Sequence, residues 1–184
     1  MLECDLTTRA GSGVTAVLLH PHPDYGGDRF HPVVDALYRG LPVSTLRFDF
    51  RSSEMVTAGR DVLEAIGHAP HGPVVLIGYS FGADVALSVA DARVLGWFAV
   101  APPLRLFDAA TVPASGDPRP KQLLVPELDQ FSAPARATAL TAGWHATSVV
   151  TLPGADHFLV GRSGSVLEAA LGWLPAMLGP DGMA

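Results

Sequence analysis

The chain lacks most of what would brace it from outside or carry it into a membrane. One cysteine, Cys4, stands in 184 residues, so no internal disulfide can form, and a reducing compartment is expected. Charged residues make up only 16% of the chain. Lysine occurs once, at Lys121, and the arginines are scattered without a basic cluster. With a net charge of -6, this excludes nucleic acid and anionic membrane as natural partners. The longest apolar runs, such as Ala16 to Leu19 and Val74 to Ile77, fall far short of the roughly 20 residues a spanning helix needs. Residues 1–13 carry acidic and polar side chains where a signal peptide has a basic start and an apolar core. The expectation is a soluble, cytoplasmic protein. No repeat or low-complexity tract interrupts it.

What is present is apolar material in a regular rhythm. Hydrophobic residues form 48% of the chain, enough for a single domain over residues 1–184 with one substantial core. Strands are predicted at Val14 to Leu19, Leu41 to Phe48, Pro73 to Ile77, Leu95 to Val100, Gln122 to Val125 and Thr147 to Leu152, with an added edge strand at Leu2 to Thr7. Their near-continuous apolar character implies a sheet covered on both faces. Between them, helices are predicted over Phe30 to Arg39, Thr57 to His68, Phe81 to Ala92, Ala133 to Ala142 and Ser163 to Leu178, the last kinked or ended by Pro175. Strands alternating with helices give an α/β class with parallel strands. Ligands in such sheets bind beyond the carboxyl ends of the strands. The loop from Pro102 to Pro120 is long and rich in Pro, Ala and Asp, and is expected to be irregular, mobile and a partial lid.

One junction carries chemistry. Val74 to Ile77 runs into Gly78-Tyr79-Ser80-Phe81-Gly82 and then into a helix. Glycine at both ends permits a turn so tight that any side chain there would strike neighbouring backbone. The turn lifts the Ser80 hydroxyl above the sheet and aims the Phe81 N–H at the same place. The helix N-terminus adds positive potential for a developing oxyanion. The competing reading is a plain strand-to-helix turn in which Ser80 only caps the helix.

A serine hydroxyl needs a base, and the base needs an orienting acid, in the chain order Ser, then Asp or Glu, then His. After Ser80 the histidines are His145 and His157. His145 begins a predicted strand, at the wrong end of the sheet. His157 lies in the loop after the last strand and is the expected base. Asp129 follows the preceding strand and is the expected acid, with Glu127 its competitor; Asp108 and Asp117 sit in the irregular loop. Asp129 would alternatively be a turn or helix-capping residue. The second oxyanion N–H should come from His20-Pro21-His22-Pro23-Asp24-Tyr25-Gly26-Gly27. Pro21 and Pro23 have no N–H, so His22 is the candidate, with Asp24 and Tyr25 as alternatives.

These marks together resemble small, lidless bacterial α/β-hydrolase-fold proteins, related at a distance to dienelactone hydrolases and serine esterases. The resemblance rests on His20-Pro21-His22-Pro23 with Gly26-Gly27, Leu46-Arg47-Phe48-Asp49-Phe50-Arg51, Gly78 to Gly82, Glu127-Leu128-Asp129 before Phe131, and Gly154-Ala155-Asp156-His157-Phe158. It implies a mostly parallel sheet of about six to seven strands with helices on both faces and minimal or no lid. It also implies a Ser80-Asp129-His157 triad, hydrolysis of an ester or related acyl bond in a small molecule, and no cofactor. The chain departs from the family after Arg51, where Ser52-Ser53-Glu54-Met55 replaces a longer glycine-rich loop, and in trimmed N-terminal strands.

The expected pocket wall is Tyr25, Tyr79, Phe107 and Phe158, with Phe81 and Leu104 also near strand ends. Two other readings compete. His20-x-His22 has a metal-ligand spacing, yet lacks further ligands at other strand ends. A catalytically silent binding protein would keep the fold without the reaction.

Overall fold

The computed structural model describes residues 2–178. Seven strands form one sheet: β1 (Cys4–Thr7), β2 (Thr15–Leu19), β3 (Ser44–Phe48), β4 (Val74–Tyr79), β5 (Val94–Val100), β6 (Lys121–Pro126) and β7 (Thr147–Leu152). Their order is β1-β3-β2-β4-β5-β6-β7. β1 runs antiparallel to β3 at one edge, and the other neighbours are parallel. After β3 the chain crosses back over β2 to lay down β4, so the direction of winding reverses between β2 and β4. Loops leaving adjacent strands there diverge to opposite faces and open a crevice.

The helices are α1 (Pro32–Gly40), α2 (Met55–His68), α3 (Phe81–Leu87), α4 (Pro113–Gly116), α5 (Pro134–Thr141), α6 (Ser163–Trp173) and α7 (Pro175–Leu178). Strand side chains alternate between two cores, as the period of two requires. Val17, Leu46, Leu76, Trp97 and Leu123 point to one face, where α2, α3, α4 and α5 cover them. Leu18, Val75, Ile77, Phe98 and Leu124 point to the other, beneath α1 and α6. Among the described residues no helix is long and apolar enough to cross a membrane.

Several boundaries moved from the sequence pattern for local reasons. Helix α1 starts at Pro32, with the His31 side chain accepting the Val33 N–H as its cap, so Phe30 stays outside it and exposed. The loop after β3 is pinned to α2, where the buried Asp61 accepts the Arg51 backbone N–H at 2.8 Å and its Nε–H at 2.7 Å. Helix α3 stops at Leu87 rather than Ala92, where the Ser88 hydroxyl donates to the Val85 carbonyl. The last helix breaks at Leu174, ahead of Pro175, as expected.

The loop over residues 102–120 departs more from expectation. It is anchored. It contains α4, buries Leu104, Val112 and Ala114, and is tied by the Trp144 indole N–H to the Ala109 carbonyl at 2.8 Å. It forms a wall rather than a lid. Phe98 is fully buried and lies 5.4 Å from Trp173, ring centre to ring centre. Phe98→Ala should therefore cost about 3–5 kcal/mol, read as a fall in the denaturant midpoint with an unchanged slope.

Candidate active site

Ser80 takes φ 53 and ψ -118, a conformation rare for a residue with a side chain. The close approaches around it explain the flanking glycines. A Cβ on Gly78 would collide with the backbone of Gly82 and Ala83. A Cβ on Gly82 would lie 2.5 Å from the carbonyl oxygens of both Leu19 and His20. The turn from β4 to α3 is thus wedged against the loop leaving β2, at the reversal point of the sheet. The Ser80 N–H is held by the Val100 carbonyl at 2.9 Å. Its side chain makes no helix-capping bond, which leaves the hydroxyl free for another partner.

That partner is His157. Ser80 Oγ lies 2.8 Å from His157 Nε2, and His157 Nδ1 lies 2.8 Å from Asp129 Oδ2. A carboxylate only accepts, so Nδ1 carries the ring proton and Nε2 presents its lone pair to the serine hydroxyl. Asp129 Oδ1 accepts the N–H groups of Phe131 at 2.8 Å and Ser132 at 3.0 Å. Asp129 is therefore both the turn former and the histidine's partner. Glu127 points elsewhere and accepts the Gly154 N–H at 2.8 Å. The loops after β6 and β7 are stitched together by Glu127 N–H to Leu152 O and Leu128 N–H to Ala155 O. Tyr79 donates its hydroxyl to the His157 carbonyl at 2.8 Å. Burial, and then the charge of Asp129, push the Tyr79 phenol up, which keeps it a donor. His145 lies before β7, exposed and away from this cluster.

The His20 loop is built around its first histidine. His20 is buried; its Nδ1–H donates to the Pro21 carbonyl at 2.6 Å, and its Nε2 accepts the Phe50 N–H at 2.9 Å. Burial lowers its pKa and favours this neutral form. Both ring nitrogens being used, His20 has none to offer a metal. Among the described residues no group of three or more His, Cys, Asp or Glu is arranged to hold an ion. His22 packs its ring 5.0 Å from that of Phe81. Among the described residues, the backbone N–H groups of His22 and Phe81 donate to no other backbone group. Gly27 lets the loop fold back, since a Cβ there would overlap the Pro21 carbonyl.

An open groove of about 830 Å³ lies over Ser80, within the usual range for small-molecule sites. Of the residues named from the sequence, Tyr25, Tyr79, Phe81 and Phe158 line it. Phe107 does not; it packs against the core on the α3 side, and Leu104 is also buried in that core. The bend in their loop turns both inward and leaves Arg105 and Leu106 facing the groove. His31, Phe131 and Val160 complete the wall without having been singled out. Phe131 stood beside Asp129 in the motif, and its ring sits edge-on to His157 at 4.4 Å.

Asp84 is a further residue that the sequence did not single out. It lies one turn beyond Ser80 on α3, fully buried, and accepts the Leu104 N–H at 3.0 Å. Leu104 itself has φ 52. Burial raises the Asp84 pKa to about 7, against the opposing effect of the backbone N–H groups it accepts. A carboxyl whose folded pKa lies above its unfolded value near 4 favours folding most when protonated. That contribution is present at low pH and is lost as pH rises through about 7. Between pH 5 and 8 the native protein should lose thermal stability relative to Asp84→Asn; parallel melting curves would show that the Asp84 charge is not the cause.

Comparison with known proteins gives a consistent picture. No protein-family profile and no curated protein matches the chain. Solved structures do. An alpha-beta serine hydrolase homologue from Coxiella burnetii superposes with a TM-score of 0.84 at 26% identity, covering 94% of this chain and 91% of that one. A Xanthomonas campestris protein described as an a/b serine hydrolase without lid gives 0.76 at 24% identity, over 95% and 90%. A protein of unknown function from Agrobacterium tumefaciens, a proposed alpha/beta hydrolase, gives 0.77 at 22% identity, over 95% and 90%. The chain has the α/β-hydrolase fold, in the compact form shared by these small bacterial proteins.

Proposed function

We propose that the protein is a serine hydrolase that cleaves a small carboxylic ester through a covalent acyl-enzyme. The observation that carries this reading is the pair of 2.8 Å hydrogen bonds joining Ser80, His157 and Asp129 at the tight turn. The likeness to the Coxiella burnetii serine hydrolase homologue supports it. Ser80 Oγ attacks the carbonyl carbon while His157 Nε2 takes its proton. Asp129 fixes the imidazole tautomer and stabilises the imidazolium. The N–H groups of Phe81 and His22 receive the oxyanion, with the start of α3 adding favourable potential. His157 then gives its proton to the leaving alcohol. Water enters, His157 again acts as base, and the acid is released.

The open groove suits short acyl chains. Ester cleavage is favoured over amide cleavage because an alkoxide is a far better leaving group than an amide nitrogen, whose lone pair also stabilises the carbonyl by resonance. The protein would act on a small molecule, in the cytoplasm and without a cofactor. The silent binding reading has no feature of its own in its favour, since serine, base and acid are all in reacting order.

A fluorophosphonate probe should label native protein at Ser80 and fail to label Ser80→Ala. Ser80→Ala should lower kcat on p-nitrophenyl acetate by more than ~10³-fold with little change in stability. Folded protein that neither labels nor turns over any ester would sink the enzyme reading. Asp129→Asn should lower kcat by roughly 10³- to 10⁴-fold, whereas Glu127→Gln should stay near wild type. The reverse ranking would reassign the acid.

A further inference from the structure

Arg105 is the one permanently charged side chain on the wall of the groove; its neighbours there are apolar, aromatic or imidazole, together with Ser80 itself. The other arginines mostly have protein partners. Arg29, Arg39, Arg47, Arg51 and Arg119 are paired with carboxylates, and Arg93 is spent on backbone carbonyls. Among the described residues the Arg105 guanidinium has neither an ion pair nor a hydrogen-bond acceptor. Among those residues Arg60 and Arg136 are unpaired as well, but neither lines the groove; what sets Arg105 apart is its place on the wall facing Ser80.

The side chain is also held in place. Its backbone belongs to the segment that the buried Asp84 fixes through the Leu104 N–H, and the left-handed Leu104 turns that residue inward and Arg105 outward. The guanidinium carbon sits 4.7 Å from the centre of the Phe131 ring, a cation–π contact that orients the planar fork without using its N–H donors. The same Phe131 ring abuts His157. Arg105 therefore stands one phenyl ring beyond the imidazole.

Direction follows from the proton path. On the reading of Ser80 and His157 given above, on which this inference rests, His157 delivers its proton to the leaving alcohol. The alcohol half of the ester then lies on the His157 side of the groove, toward Phe131 and Arg105. We propose that Arg105 is an anion subsite and that the protein's substrates are esters whose alcohol half carries a carboxylate, held by the guanidinium in a paired hydrogen-bond geometry.

The test compares 4-carboxyphenyl butyrate with its neutral counterpart 4-carbamoylphenyl butyrate, which share acyl group and shape. Native protein should favour the carboxylate ester by about tenfold in kcat/KM at low salt, mostly through KM, and the preference should shrink as salt rises. In Arg105→Gln the ratio between the two esters should fall close to one, and in Arg105→Lys it should be partly kept. Because the readout is a ratio within one protein, a general loss of rate in a variant does not disturb it. Efficient turnover of both esters with equal kcat/KM, or a preference that survives in Arg105→Gln, would overturn the subsite while leaving Ser80 as nucleophile. A preference shown only by esters with the carboxylate on the acyl half would overturn the assignment to the alcohol side. No turnover of either ester, with no fluorophosphonate labelling, would instead overturn the hydrolase reading beneath it.

Discussion

Two backbone approaches, Gly78 against Gly82 and Gly82 against the carbonyls of Leu19 and His20, fix where every other part of the site can stand. The first bends the chain between β4 and α3 so sharply that Ser80 is left with a positive φ. The second presses the start of α3 onto the loop leaving β2. Neither approach tolerates a Cβ. With the helix start and the His20 loop in contact, the rings of Phe81 and His22 pack together beside Ser80. His20 then secures the loop from the other side, through its bonds to Pro21 and Phe50. The sheet order supplies the place, since β2 and β4 are the neighbours between which the winding reverses.

Much of this was legible in the sequence because the signals were local. Each parallel strand showed as a short apolar run, and Thr147 to Leu152 matched β7 to the residue. Gly-x-Ser-x-Gly between a buried strand and an alanine-rich helix carried its own steric logic, which the would-be Cβ collisions reproduce. Asp129 and His157 were expected from their positions after successive strands; His157 lies against Ser80, and Asp129 lies against His157.

The illegible parts depended on contacts distant in sequence. Nothing near Phe107 tells whether it faces the groove or the core. That is decided by the bond from Asp84 to Leu104, 20 positions apart, and by the φ of Leu104. The same contact explains why the 102–120 loop is a wall and why Arg105, with no motif around it, reaches the groove. The composition of that loop, rich in proline and alanine, read as loose. Pro102, Pro103 and Ala114 are in fact buried, and their side chains have little conformational entropy to lose. The early end of α3 is a local exception, marked by the Ser88 hydroxyl-to-Val85 carbonyl bond, which propensity does not register.

The hydrogen bond from Tyr79 to the His157 carbonyl joins the residue just before Ser80 to the backbone of His157. The separation of serine and imidazole is thereby a property of the central strand and not of the mobility of a surface loop. The disorder that would otherwise have to be removed each time a substrate arrives has been removed once, when the chain folds. A site built this way has little left to rearrange on binding, so discrimination between ligands falls to the shape and charge of the groove wall.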